Sequence, residues 1–153
     1  MTHSINQSRQ RSPMWYFEHN YVSLMNMVCE FDLLNHPSVA FNLSGAPVEL
    51  HLVERTRYTL LLTIQHKLQK LDSMLDELRF EVRLYLDARV AEVTSYQGAR
   101  RLQAKYPYPN KGMHHPDEKR QTNLVLYDWL STCSRLNFSQ SGYDRIPRQT
   151  LQT

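Results

Sequence analysis

An α+β domain is predicted: an antiparallel sheet of four to five strands (two hairpins plus one strand) packed by an N-terminal and a C-terminal amphipathic helix. Three observations lead there. Apolar residues recur at helical spacing in two stretches, one early and one late in the chain. Between them apolar and polar residues alternate with period two. The alternating runs come in pairs joined by short turns. At 153 residues the chain suits a single domain, which at this size buries roughly 70% of its unfolded surface.

From Asn20 to Leu34, the residues Tyr21, Leu24, Met25, Val28 and Phe31 form an apolar stripe, with Ser23, Asn26 and Glu30 opposite. The helix is expected to stop before His36-Pro37, because a residue preceding proline is pushed out of the α region. A connector through Gly45-Ala46-Pro47 then leads into strands. Val48, Leu50 and Leu52 alternate with Glu49 and His51, and Leu60, Leu62 and Ile64 alternate with Thr63 and Gln65. A three-residue loop, Arg55-Thr56-Arg57, would pair Leu52 with Leu60, Leu50 with Leu62 and Val48 with Ile64.

In the second hairpin, Phe80, Val82, Leu84 and Leu86 alternate with Arg79, Glu81, Arg83 and Tyr85, and Ala91 and Val93 lie on the return strand. A turn at Asp87-Ala88 sets Val82 opposite Val93 and Leu84 opposite Ala91 on one face. Arg83 then opposes Glu92, and Tyr85 opposes Val90, on the wetter one. A fifth strand is expected from Ala99 to Tyr106. Residues 67–77 read as a short helix through Leu68, Leu71 and Leu75, or as a loop. The closing helix starts near His115, with Pro116 at its first position and Asp117 and Glu118 on the positive end of the dipole. Its apolar stripe is Leu126, Trp129, Leu130, Cys133 and Leu136.

Residues 1–13 and 139–153 are polar and poor in apolar side chains, so a disordered N-terminal arm, a domain over 14–138 and a flexible C-terminal tail are expected. Neither an apolar leader core nor a run of roughly 20 apolar residues is visible, which points to a soluble cytoplasmic protein with no membrane partner. Four glycines do not build a phosphate loop. The two cysteines, Cys29 and Cys133, are far apart and expected in the core, and neither a zinc knuckle nor a disulfide is indicated. The net charge of +3 is too balanced to imply nucleic acid by itself.

With these segments in place the chain resembles the YqiB-like family, an uncharacterised family of small proteins in Gram-negative bacteria. The matching motifs are Glu-Arg-Thr-Arg-Tyr-Thr at 54–59, Val-Arg-Leu-Tyr-Leu-Asp-Ala-Arg-Val-Ala-Glu-Val at 82–93 and Tyr-Pro-Tyr-Pro-Asn-Lys at 106–111. His114 with Asp-Glu-Lys at 117–119, running into Asp128-Trp129-Leu130, completes them. The resemblance implies no established activity, cofactor or substrate.

Three polar constellations could carry function. His114, His115, Asp117, Glu118 and Lys119 gather at a helix start and could hold a metal or anion, but nearly consecutive residues diverge and capping accounts for the acids. No metal or cofactor site is therefore indicated. Arg57, Arg83, Glu92 and Asp87 sit on the hairpins, where a polar ligand or an ordinary cross-strand ion pair would use them. Arg100, Arg101, Lys105 and Lys111, interleaved with Tyr106 and Tyr108, could bind single-stranded RNA.

An aromatic set of Tyr58, Tyr85, Tyr96, Tyr106, Tyr108 and Trp129 could line a pocket between sheet and helix. Together these features favour a non-enzymatic binding or regulatory adaptor domain with a protein partner or a small anionic ligand. The candidate ligand residues are Arg57, Tyr58, Arg83, Glu92, Tyr108, Asn110, Lys111 and His114. The alternatives are an RNA- or nucleotide-binding protein using 100–111 and a hydrolase using His114, Glu92 and Asp117.

Overall fold

The computed structural model describes residues 11–71, 74–98, 116–136 and 142–147. Two helices, α1 (Pro13–Glu30) and α2 (Pro116–Arg135), accompany a six-stranded antiparallel sheet. Its strands are β1 (Ser38–Leu43), β2 (Ala46–Arg55), β3 (Thr59–Leu71), β4 (Met74–Tyr85), β5 (Val90–Gln97) and β6 (Tyr143–Arg145), in the order β5-β4-β3-β2-β1-β6. Among the described residues the sheet thus has six strands, not four or five. The expected strand at 99–106 lies outside the described residues. Among the described residues no helix is long and apolar enough to cross a membrane.

Helix α1 starts seven residues before the expected Asn20, because Ser12 caps it and Pro13 occupies its first turn. It also ends earlier, at Glu30. Leu33 N–H donates to Val28 O (2.9 Å) and Asp32 N–H to Cys29 O (3.2 Å), while Asp32 takes a left-handed φ of 51°. This pair of bonds is the Schellman termination, and buried Val28 and Leu33 supply its apolar contact. The cap therefore stops the helix before the His36-Pro37 signal is reached.

The stretch read as a connector folds into the first hairpin. Ser44 (φ 52°) and Gly45 (φ 79°) form a two-residue turn with both residues left-handed, joining β1 to β2 with Leu43 opposite Ala46. Between β2 and β3 the loop is three residues long, as expected, but it starts one residue later, at Thr56. The pairs are consequently Leu50 with Ile64 and Leu52 with Leu62, not those predicted from a loop at Arg55. Thr56 anchors this turn: its N–H donates to Thr59 O (2.9 Å), and its hydroxyl accepts from Thr59 N–H (3.0 Å). A β-bulge at Val53 absorbs one extra residue on the way in.

The stretch around 67–77 is neither helix nor loop where described; it extends β3 and β4 into one long hairpin, with Lys67 opposite Glu77 and Leu68 opposite Asp76. In the β4–β5 hairpin all four expected pairs are present: Val82 with Val93, Leu84 with Ala91, Arg83 with Glu92 and Tyr85 with Val90. The C-terminal stretch read as a tail supplies β6, which pairs Val39 with Arg145 and Phe41 with Tyr143.

One sheet face, carrying Val48, Leu50, Leu62, Ile64, Phe80, Val82 and Leu84, is buried against Leu24, Val28 and Phe31 of the α1 region and Leu126, Trp129 and Leu130 of α2. Each such side chain contributes about 1.5–3 kcal/mol relative to exposure. Leu136, placed in the stripe by spacing, lies past the helix end and is exposed. Cys133 is in the core, where burial pushes its thiol up to about 12, whereas Cys29, also expected there, is exposed near the end of α1.

The layers are stitched by two buried asparagines. Asn123 of α2 accepts from Val93 N–H through its side-chain oxygen (3.2 Å) and donates to Lys119 O (2.7 Å). Its backbone carbonyl accepts from Asn20 Nδ2 of α1 (3.0 Å). Replacing Asn123 by Ala leaves the Val93 amide buried without its acceptor. The urea midpoint should fall, corresponding to a loss of roughly 1–3 kcal/mol, with the denaturant slope unchanged.

Candidate functional site

The end of the sheet that carries the β2–β3 and β4–β5 turns gathers most of the described candidate residues. Glu54, Leu61, Arg83 and Glu92 occupy one row across β2, β3, β4 and β5, on the face away from the core. Arg83 Nη1 lies 3.6 Å from Glu54 Oε1, two strands away. The guanidinium stem thus passes over the intervening Leu61, which is only 7% exposed despite facing outward. Glu92, expected to pair with Arg83, instead has its carboxylate 3.0 Å from Lys119 Nζ. The pairing differs because α2 packs beside β5, as the Asn123–Val93 bond shows, and brings Lys119 within reach.

Beyond this row the two turns meet. Leu86 N–H donates to Tyr58 O (2.8 Å), so the hairpin ends are fixed to one another. Every residue from Val53 to Tyr58, and from Asp87 to Arg89, is exposed. The Arg57 guanidinium lies 5.2 Å from the Tyr58 ring centroid, within cation–π range. Arg89 adopts φ 58°, a conformation needed for the β4–β5 turn to close with Arg89 N–H on Tyr85 O (2.8 Å).

Four candidates are therefore brought to one end: Arg57, Tyr58, Arg83 and Glu92. Tyr108, Asn110, Lys111 and His114, and the basic residues Arg100, Arg101 and Lys105, lie outside the described residues. Of the hydrolase set, Glu92 is held by Lys119, and His114 is likewise outside. The aromatic set does not share one pocket. Tyr58 is at the exposed turn, Tyr85 opposes Val90 on the outer face, and Tyr96 packs on Phe80 of the inner face with ring centroids 5.1 Å apart. Trp129 is in the core.

Two polar groupings were not anticipated. The first pairs Trp129 with His66, the indole N–H donating to His66 Nδ1 at 3.0 Å. Indole nitrogen only donates, so Nδ1 must be unprotonated and the ring proton sits on Nε2. The second joins Ser38, His51, Glu49 and Lys67 on the outer face. His66 lies two residues past Ile64, one step beyond the alternation read in β3, and Trp129 enters only through tertiary packing. Ser38 became visible only once β1 was recognised as a strand.

The chain belongs to a family described as "Protein of unknown function (DUF1249)", whose model matches residues 23–139. It is similar to the uncharacterized protein YqiB of Escherichia coli strain K12, 45% identical over 96 residues that cover 63% of this chain and 68% of the relative. The YqiB proteins of E. coli O6:H1 and O157:H7 match to the same extent. No solved structure matches.

Burial drives the His66 imidazole from its ordinary 6.5 down to about 4. Between those values the unfolded chain binds a proton that the folded chain does not. Stability present above pH 6.5 is thus lost as pH falls toward 4, by roughly 3 kcal/mol in full. His66→Gln keeps an acceptor for Trp129 without a titrating ring. Urea denaturation over this range should show the wild type losing roughly 3 kcal/mol more than the variant.

Proposed function

We propose that the protein is a binding module of adaptor type, engaging an acidic segment of a cytoplasmic protein through the arginine- and tyrosine-bearing end of its sheet. The observation that carries this reading is a charge imbalance. Arg55, Arg57 and Arg89 are exposed there and make no carboxylate ion pair among the described residues, neighbouring Glu54 and Glu92 are already engaged by Arg83 and Lys119, and the exposed Asp87, whose Oδ1 accepts from Ala88 N–H, offsets only one of the three positive charges. Val53, 58% exposed beside the bulge, and Tyr58, 53% exposed, add apolar contact between the cations. Tyrosine and arginine are the residue types that concentrate binding energy at interfaces.

Exposure favours a polypeptide over a small anion, because every residue of the two turns faces solvent, whereas small-molecule sites enclose their ligand. The motifs at 54–59 and 82–93 converge on this end through the Leu86–Tyr58 bond, which further supports it. Titrating isotope-labelled protein with a peptide of alternating glutamate and tyrosine should shift the amides of Arg55 to Tyr58 and Leu86 to Arg89. The affinity should fall as salt rises. Arg57→Ala combined with Tyr58→Ala should weaken binding about tenfold or more. Equal affinity in the variant, or shifts confined to other surfaces, would sink the reading. Shifts at these amides with uridine-rich RNA but not with the peptide would replace it with the nucleic-acid alternative.

A further inference from the structure

Away from the arginine-bearing end, the outer face carries a hydrogen-bonded chain that the binding role does not use. Ser38 of β1 is the register partner of His51 of β2, and Ser38 Oγ lies 2.8 Å from His51 Nδ1. Glu49, two residues earlier on the same face of β2, has Oε1 3.1 Å from His51 Nε2. Its other oxygen is 3.3 Å from Lys67 Nζ on β3.

The direction of every bond follows from the partners. An ionised carboxylate only accepts, so His51 Nε2 carries a proton and donates to Glu49. In the neutral ring Nδ1 is then a lone pair, and the Ser38 hydroxyl must donate to it. Lys67 fixes the carboxylate, the carboxylate fixes the tautomer, and the tautomer aims a base at a hydroxyl. Nucleophile, base and orienting acid in hydrogen-bond contact are the arrangement that activates a serine.

Ser38 is reachable. It is half-buried, His51 and Glu49 keep 26% and 28% of their side-chain surface exposed, and the next outward position on β1 is the small Ala40. Restraint on its backbone is also in place, through Ile146 N–H on Ser38 O at 3.0 Å.

We propose that Ser38 is an activated nucleophile taking acyl groups from small activated esters, with His51 as its base and Glu49 as a positioning residue. Ser38 Oγ attacks the ester carbonyl carbon as its proton passes to His51 Nδ1. The bond to the alkoxide or phenolate then breaks, and that group leaves with the electron pair and takes up the proton from His51 or water. Ser38 is left as an acyl ester. Because sheet N–H groups lie in the plane of the ladder, the flat face aims no cradle of donors at the oxyanion. Slow, stoichiometric acylation is therefore the expected outcome, with little turnover.

Incubating the full-length protein with p-nitrophenyl acetate should release p-nitrophenolate in a burst of one equivalent, and peptide mass spectrometry should place the acetyl group on Ser38. Ser38→Ala should abolish the burst, and His51→Gln should slow it roughly a hundredfold. Glu49→Gln should slow the burst, and Glu49→Asp, which keeps a carboxylate, should recover part of the rate. Circular dichroism checks that each variant folds, and the mass mapping needs no variant at all. Acetyl groups on Lys67 or elsewhere with Ser38 unmodified, or a burst unaffected by His51→Gln, would overturn the proposal.

Discussion

The structure hangs on Asn123. One buried amide binds the edge strand through Val93, its own helix through Lys119 O and, by its carbonyl, Asn20 of the other helix. A polar side chain in this position would be costly without partners, so its bonds hold three elements in one arrangement. Trp129 can reach His66 only because α2 is laid across the sheet in this way, and Lys119 can reach Glu92 only because the same helix abuts β5. Trp15 and Tyr16 of α1 pack edge-on against Tyr127 of α2, with centroids 5.1 and 5.8 Å apart, and complete the helix–helix contact.

Against that scaffold the two sheet faces have different chemistry. The inner face is apolar except near His66 and Asp76, both nearly fully buried. The outer face is a set of cross-strand polar rows in which charges meet partners one or two strands away. Long stems make this possible, and Arg83 does two things at once: it shields Leu61 and neutralises Glu54. Such pairs add little stability at a solvated surface, so their consequence is positional. They leave the turn arginines beyond them as the excess charge of that end, and they hold Ser38 and His51 in line on the neighbouring strands.

Much of the local structure was legible because it depends on side-chain periodicity. The β4–β5 register follows from alternation and a turn between Leu86 and Arg89, and it is met pair for pair. The β2–β3 register slips because a threonine bracket, Thr56 to Thr59, sets the loop one residue later, and the bulge at Val53 carries no signal in alternation. Helical spacing misses the start of α1 and overruns its end: the Ser12-Pro13 start stands in a polar stretch, and the apolar spacing carries on past the left-handed Asp32 that terminates the helix. Polar residues in β1 and β6, such as Asn42 and Asp144, diluted the pattern on which strand recognition relies.

The sequence by itself determined the class of fold, the core-facing side of the central strands and one hairpin register, because burial imposes periodicity on each element separately; the family follows from its motifs. Only the tertiary structure decided which polar groups meet. Arg83 opposes Glu92 in register yet binds Glu54, Glu92 binds a lysine from a helix 27 residues further on, and Ser38 finds His51 across a turn. Those partnerships depend on strand order, helix docking and side-chain reach, and none of these is written in the periodicity of a single segment.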